Sequence, residues 1–157
     1  MVKVLFICMG NICRSPTAHG VLERLVQQHG VDDRIEIDSA GTHAYHVGEP
    51  PDRRAQQTAL SRGFDLSKQR ARRVQVSDFE TYDYVLAMDS DNLRNLIDIC
   101  PAEHQSKVEL FLGYTTRFDE DEVPDPYYGG PKGFERVLDL VESAAEGLLE
   151  DIKQRHL

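Results

Sequence analysis

Tryptophan is absent from the 157 residues, and cysteine occurs only three times. An odd number of cysteines without C-x-x-C spacing is no disulfide framework, so the thiols read as reduced. Long apolar runs are also missing: nothing approaches the roughly 18 residues needed to cross a bilayer. Val2–Cys8 is shorter than the ~7–15-residue core of a secretory signal once Lys3 is allowed for, and no small-residue cleavage site follows it. Basic residues are the minority, 18 against 27 acidic, for a formal net charge of −9. That balance speaks against a nucleic-acid binder or a protein that coats anionic membranes, since both need a basic surface. Repeats, low-complexity tracts and linkers are lacking too. The expectation is a soluble cytoplasmic protein, with no nucleic-acid partner and no membrane insertion.

What is present is ordinary globular composition, 40% apolar and 29% charged. Residues 1–157 read as one domain, a length that buries about two-thirds of the unfolded surface without staples. The charge is unevenly placed. Residues 1–80 hold 11 basic and 10 acidic groups, whereas residues 81–157 hold 7 and 17. A site for an anion is therefore expected in the first half.

Val2–Cys8 is an apolar, β-favouring run of the kind covered on both faces. Ser15-Pro16 reads as an N-cap followed by proline at the first helical position. Ala18, Val21, Leu22, Leu25 and Val26 then form a helical stripe, with Gly30 as its stop. Further strands are predicted over Arg34–Ser39, Tyr84–Met88 and Val108–Leu112. Helices are predicted over Asp52–Arg62 (closed by Gly63), from a Ser77/Glu80 capping box, from Asp89 or Ser90 through Ile99, and along Phe134–Ile152. The alternation implies an α/β domain, an open four-stranded parallel sheet with helices on both faces and right-handed crossovers. Ligands of such sheets bind at the carboxyl ends of the strands, near a switch in strand order. Residues Cys8–Ser15, just after the first strand, are the first place to look.

That turn, Cys8-Met9-Gly10-Asn11-Ile12-Cys13-Arg14-Ser15, holds a cysteine and an arginine at its two ends. Gly10 and Asn11 tolerate positive φ, which lets the backbone curl and aim successive N–H groups inward. The helix start adds unsatisfied donors and the positive end of its dipole. The result is a cradle for a tetrahedral dianion, with the planar fork of Arg14 gripping two of its oxygens. A sulfur at the floor of such a cradle is stabilised as thiolate and faces a bound phosphate ester in line. Taken singly, Cys8 reads as a small hydrophobe and Arg14 as a surface ion-pair partner; it is the whole turn between strand and helix that points to chemistry. No Gly-Lys-Ser/Thr follows Gly10, so this is not a nucleotide-binding Walker loop.

Cys8-x5-Arg14-Ser15 with Pro16, behind an N-terminal strand, resembles the low-molecular-weight protein tyrosine phosphatases. Ser39-Ala40-Gly41-Thr42, Ala87-Met88-Asp89 with Asn92, and Pro124-Asp125-Pro126-Tyr127-Tyr128-Gly129 follow in the same order, and Gly129-Gly130-Pro131-x-Gly133-Phe134 looks like the bacterial branch. The resemblance implies the flavodoxin-like phosphotyrosine phosphatase I fold. It also implies hydrolysis of phosphotyrosine through a phosphocysteine intermediate: Cys8 as nucleophile, Met9–Ser15 as phosphate loop, Arg14 on the equatorial oxygens and Asp125 as general acid, then base. Spacing alone leaves Asp125 equally a turn cap or part of the solvated acidic run Asp119–Glu122; its place between Pro124 and Pro126 does put it on a stiff loop.

By the same resemblance Asn11, Ser15, Ser39 and Gln69 support the loop, Ser15 both capping the helix and donating to the Cys8 sulfur. Gln69 stands where the family commonly has a histidine bonded to the loop asparagine; glutamine can make that bond but does not titrate. Met9, Tyr45, Tyr127 and Tyr128 are expected to wall the cleft, each with ordinary packing as the alternative. Cys13 matches a loop cysteine that forms a reversible disulfide with the nucleophile, and Tyr127 and Tyr128 match a phosphorylated pair. Cys100 reads as structural; Arg53, Arg54, Arg70, Arg72 and Arg73 could make a positive rim around the cleft, with solvated surface as the reading for most of them. No cofactor is expected, and the six histidines lack metal-ligand spacing. Partners would be phosphotyrosine proteins and a cognate bacterial tyrosine kinase, with the chain a monomer. Two other readings remain: an arsenate reductase of the same fold, which would need a later cysteine relay where only Cys100 is present, and a phosphopeptide-binding module without catalysis.

Overall fold

Strand β1 (Val2–Cys8) pairs in parallel on both edges, with β2 (Ile35–Gly41) on one side and β3 (Tyr84–Ala87) on the other, and β4 (Val108–Leu110) completes the order β2-β1-β3-β4. The computed structural model describes residues 1–127 and 129–157. Alternation along β1 sorts its side chains between two apolar layers. Val4, Phe6 and Cys8 join helices α1 (Arg14–Gln28) and α5 (Pro131–His156), while Leu5 and Ile7 pack with Phe79, Leu96 and Val108 beneath α3 (Val76–Thr81) and α4 (Ser90–Ile99). Helix α2 (Arg53–Ser61) lies beside α5 on the first layer through Ala59. Each fully buried Leu, Val or Phe in these layers stabilises the fold by about 1.5–3 kcal/mol, so the sheet is held from both faces, as the sequence pattern predicts.

The strand order places the switch between β1 and β3. The chain leaves β1 toward β2 on one side and later returns to β3 on the other, which opens a crevice beyond their carboxyl ends. Cys8 ends β1 there, and Asp89 follows β3 as the N-cap of α4, its carboxylate accepting from the Asn92 N–H at 2.8 Å.

Several boundaries differ from expectation. Helix α1 starts at Arg14, two residues earlier than a Ser15 cap requires, and its N-cap residue Cys13 makes no side-chain cap. Ser15 therefore sits inside the helix, and its hydroxyl is engaged elsewhere. Helix α3 starts at Val76 rather than from Ser77 with Glu80. Its first turn is closed by Asp78, which accepts from the Gln75 N–H at 2.7 Å and also holds Arg72. Strand β4 stops at Leu110, because Phe111 turns into a 3₁₀ segment (Phe111–Tyr114) that sets its ring edge-on against Phe6 at 4.9 Å. A second 3₁₀ segment, Ala102–Lys107, has no counterpart in the sequence reading. Helix α2 lies within the predicted Asp52–Arg62 with Asp52 outside it as the N-cap, and the predicted stops Gly30 and Gly63 take φ 68° and 90°.

Candidate active site

A cleft of about 280 Å³ opens at the switch point. Its floor is Cys8, Gly10, Ile12, Cys13 and Arg14; its walls are Met9, Tyr45, His46, Tyr127 and Asp125. The cleft thus brings together the predicted nucleophile, arginine and acid from positions 8, 14 and 125. Tyr128, expected in the wall, lies outside the described residues.

The loop's curl comes from Asn11, which at φ 57° is the one non-glycine with positive φ among the described residues. Its side chain is fixed by a donor that can only donate: the Arg72 N–H reaches Asn11 Oδ1 at 3.1 Å. The amide nitrogen of Asn11 must then point the other way, and it donates to Ser15 Oγ at 2.8 Å and Ser39 Oγ at 2.9 Å. With its oxygen accepting from Asn11, Ser15 has its own hydrogen free for Cys8 Sγ, 3.0 Å away. The hydroxyl is fully buried, so the sulfur is the partner its hydrogen has on this floor. Gly41 lets β2 approach closely, since a Cβ there would stand 2.8 Å from the Met9 carbonyl.

Among the described residues, no protein acceptor takes up the backbone N–H groups of Met9 through Arg14. A loop of unspent donors leading into a helix N-terminus is an anion nest. Arg14 is 4% exposed, and among the described residues both of its side-chain hydrogen bonds use one nitrogen: Nη1 donates to Asp89 Oδ2 at 2.6 Å and to the Val123 carbonyl at 2.9 Å. Its Nε–Nη2 edge is left for a ligand's oxygens. Burial opposes the guanidinium charge, but Cys8, Asp89 and Asp125 outweigh it and hold its pKa above the ordinary value.

Of the residues expected to support the loop, Asn11 bonds both Ser15 and Ser39 behind the floor, and none of the three lines the cleft. Gln69 differs. It reaches Ser39, whose hydroxyl donates to Oε1 at 3.4 Å, and its own amide donates to the Pro16 carbonyl at 3.0 Å, so it braces the asparagine through Ser39 and not directly. Ser15 keeps one of its two expected jobs, the bond to sulfur. Burial pushes the Cys13 thiol up strongly, with Asp52, Cys8 and Asp125 adding to it. Cys100 packs with Leu5, Ile7 and Leu96 in the other apolar layer, and burial raises its pKa too.

Three residues have contacts that the sequence does not announce. Arg72 is no solvated rim residue: besides its N–H on Asn11, its guanidinium donates to Asp38 at 3.0 Å and to both oxygens of Asp78 at 3.0 and 3.2 Å. Arg54 donates to the Tyr127 carbonyl at 3.1 Å and stacks over the Tyr127 ring. His46 lines the cleft, bonded to Glu49 at 2.6 Å, and a Cβ at Gly10 would meet its ring at 3.0 Å. The only signal for His46 was its place beside Tyr45, whose ring stacks on His43 at 5.1 Å.

Residues 3–156 match the family model described as low molecular weight phosphotyrosine protein phosphatase. A low molecular weight protein-tyrosine-phosphatase of Streptomyces coelicolor is 40% identical over 156 residues, covering 98% of this chain and 94% of that one. Among solved structures, a protein tyrosine phosphatase of Entamoeba histolytica with Hepes in the active site superposes with a TM-score of 0.96 at 42% identity over all of both chains. YfkJ of Bacillus subtilis gives 0.94 at 36% identity over 100% of this chain and 98% of that one. With the fold, the order of its motifs and these likenesses in agreement, the chain belongs to the low molecular weight phosphotyrosine protein phosphatases, a family of hydrolases.

Proposed function

We propose that the protein hydrolyses phosphotyrosine in proteins, and simple aryl phosphates, in two phosphoryl-transfer steps at this cleft. The Cys8 thiolate attacks phosphorus while the bond to the phenolic oxygen breaks. Protonated Asp125 gives its proton to that departing oxygen. The N–H groups of residues 9–14 and the free edge of Arg14 stabilise charge on the equatorial oxygens, a donor set fixed before substrate arrives. In the second step Asp125, now a carboxylate, takes a proton from water as the water oxygen attacks phosphorus. The phosphorus–sulfur bond breaks, and the thiolate returns to the hydroxyl of Ser15.

The observation that carries this reading is the set of unspent loop amides beside a buried arginine edge, with a hydroxyl-bonded cysteine sulfur on the same floor. The half-exposed Met9 and Tyr127 and the exposed Tyr45 offer flat apolar walls to a substrate ring, which favours an aryl ester over an alkyl one. Among the described residues no helix is long and apolar enough to cross a membrane, and no group of three or more His, Cys, Asp or Glu is placed to hold a metal ion. On this reading the protein works in the cytoplasm as a monomer, with phosphoproteins supplied by a tyrosine kinase. An oxidised Cys8 would meet Cys13 as its disulfide partner. A cysteine relay of the arsenate-reductase kind finds no support in Cys100, which is buried in the opposite layer.

The test is hydrolysis of p-nitrophenyl phosphate and of a phosphotyrosine peptide by the wild type and Cys8→Ser. Both activities are expected to fall below detection in the variant; turnover retained by it rejects the nucleophile, and tight phosphate binding without turnover in the wild type favours a binding module.

A further inference from the structure

The mechanism needs the Asp125 carboxyl held at a set distance from Cys8, yet the two come from segments with no shared strand or helix. Asp125 is exposed, and its one protein hydrogen bond among the described residues is from the Tyr127 N–H to Oδ1 at 3.0 Å. The peptide unit of Tyr127 therefore sets the carboxyl, and the question becomes what holds Tyr127.

A connected chain of contacts leads from there to the phosphate loop. The Tyr127 carbonyl accepts from Arg54 Nη1 at 3.1 Å, and the guanidinium lies 5.1 Å from the Tyr127 ring centroid and 4.8 Å from that of Phe134 at the start of α5. The remaining nitrogens fork onto Asp52, Nε to Oδ1 at 3.2 Å and Nη2 to Oδ2 at 3.1 Å. Asp52 is anchored by the N–H groups of Arg54 and Ala55 at 2.8 and 3.3 Å, as the N-cap of α2. Its own N–H donates to the Ile12 carbonyl, in the phosphate loop, at 2.7 Å. Ile12, Asp52, Arg54, Tyr127 and Asp125 thus form one continuous set of contacts, with each of the three guanidinium nitrogens engaged.

We propose that Arg54 is a positioning residue for the acid: resting on the assignment of Asp125 above, it registers the Asp125 loop against the nucleophile loop by holding the Tyr127 peptide to the first turn of α2. Planarity is what suits arginine to this place, since one fork spans Asp52 and the Tyr127 carbonyl while its faces cover two rings. A lysine ammonium has the charge but reaches these partners only one at a time. The side chain is half exposed, so its removal leaves no cavity in either apolar layer.

The experiment measures kcat/KM, which reports the first phosphoryl transfer, for Arg54→Ala, Arg54→Lys, Asp125→Ala and the Arg54→Ala/Asp125→Ala double variant. Phenyl phosphate, with a poor leaving group, is compared with p-nitrophenyl phosphate, with a good one; circular dichroism checks that each variant is folded. Arg54→Ala is expected to lose about tenfold on phenyl phosphate, the scale of a modest misplacement, and much less on p-nitrophenyl phosphate. Arg54→Lys recovers part of the loss, and in the Asp125→Ala background removing Arg54 costs nothing further. Equal losses on both esters, or an undiminished Arg54 effect in the Asp125→Ala background, overturn the proposal while leaving the acid in place. If Asp125→Ala itself shows no leaving-group dependence, the acid assignment fails, and the role given to Arg54 fails with it.

Discussion

The two loops that meet in the cleft are built in opposite ways. The nucleophile loop is buried and over-determined: Asn11 is 2% exposed and Ser15 fully buried, and between them run bonds to Arg72, Ser39 and Cys8. In the acid loop Asp125 is exposed, and among the described residues it has a single short tether to its own loop. The difference follows from the work each does. On the proposed mechanism, stabilising a phosphoryl transition state depends on donors that do not reorganise, whereas the acid must admit an aryl group, protonate its departing oxygen and let a water in behind it. The bonds are concentrated where charge builds up, and the acid is placed by fewer contacts, at one remove through Tyr127.

The largest expected break in this comparison is Arg14→Ala. It removes the equatorial grip and strands the Asp89 carboxylate, and kcat/KM should fall by about 10³–10⁵ for every aryl phosphate alike. Asp125→Ala should cost about 10²–10⁴, with the loss growing as the leaving group worsens. A loss from Arg14→Ala that tracks the leaving group, or one from Asp125→Ala that does not, would erase the division of labour. Asn11→Gly is a finer probe, because glycine keeps the φ of 57° while deleting the wiring. Losing the bond network behind the sulfur should lower kcat/KM roughly tenfold, the worth of one good hydrogen bond, and an unchanged value would mean that the backbone alone shapes the loop.

Local chemistry was legible in the sequence; long-range chemistry was not. The strand, the Cys8–Arg14 turn and the helix after it are contiguous, so residue spacing states their geometry directly. Arg72 reaches Asn11 across 61 positions and Arg54 reaches Tyr127 across 73, and nothing in either arginine's neighbours distinguishes it from Arg53 or Arg70 on the surface. The Ser15 cap was misread because a serine before a proline satisfies the local rule for a helix start, while the hydroxyl had a stronger partner in the Cys8 sulfur. Ser77 with Glu80 is a plausible capping box for the same reason. Asp78 took that place because it also neutralises Arg72, a partner six positions upstream. The Gln69 bond went to Ser39 instead of Asn11 because both amide hydrogens of Asn11 were already given to serines.

The smallest predicted effect concerns the platform shared by the two loops. Burial works against the Asp52 carboxylate, but the Arg54 fork and the N–H groups of Arg54 and Ala55 outweigh it and hold its pKa below the usual range. A depressed native pKa means that this carboxylate contributes stability above the unfolded-state value and loses it as pH falls through the native one. Asp52→Ala should therefore lower stability by about 1 kcal/mol near neutral pH, as for a lost helix cap. The difference from wild type should shrink in acid. Denaturant melts at several pH values measure this, and a gap that widens on acidification would contradict it.

The central claim, that Cys8 carries the phosphoryl group between two half-reactions, is tested most directly by trapping the intermediate. The enzyme is mixed with p-nitrophenyl phosphate and quenched within one turnover, and its peptides are read by mass spectrometry. One phosphoryl group on the Cys8 peptide, absent from Cys8→Ser, is the predicted result. Rapid turnover of the ester with Cys8 unmodified at every quench time would contradict it.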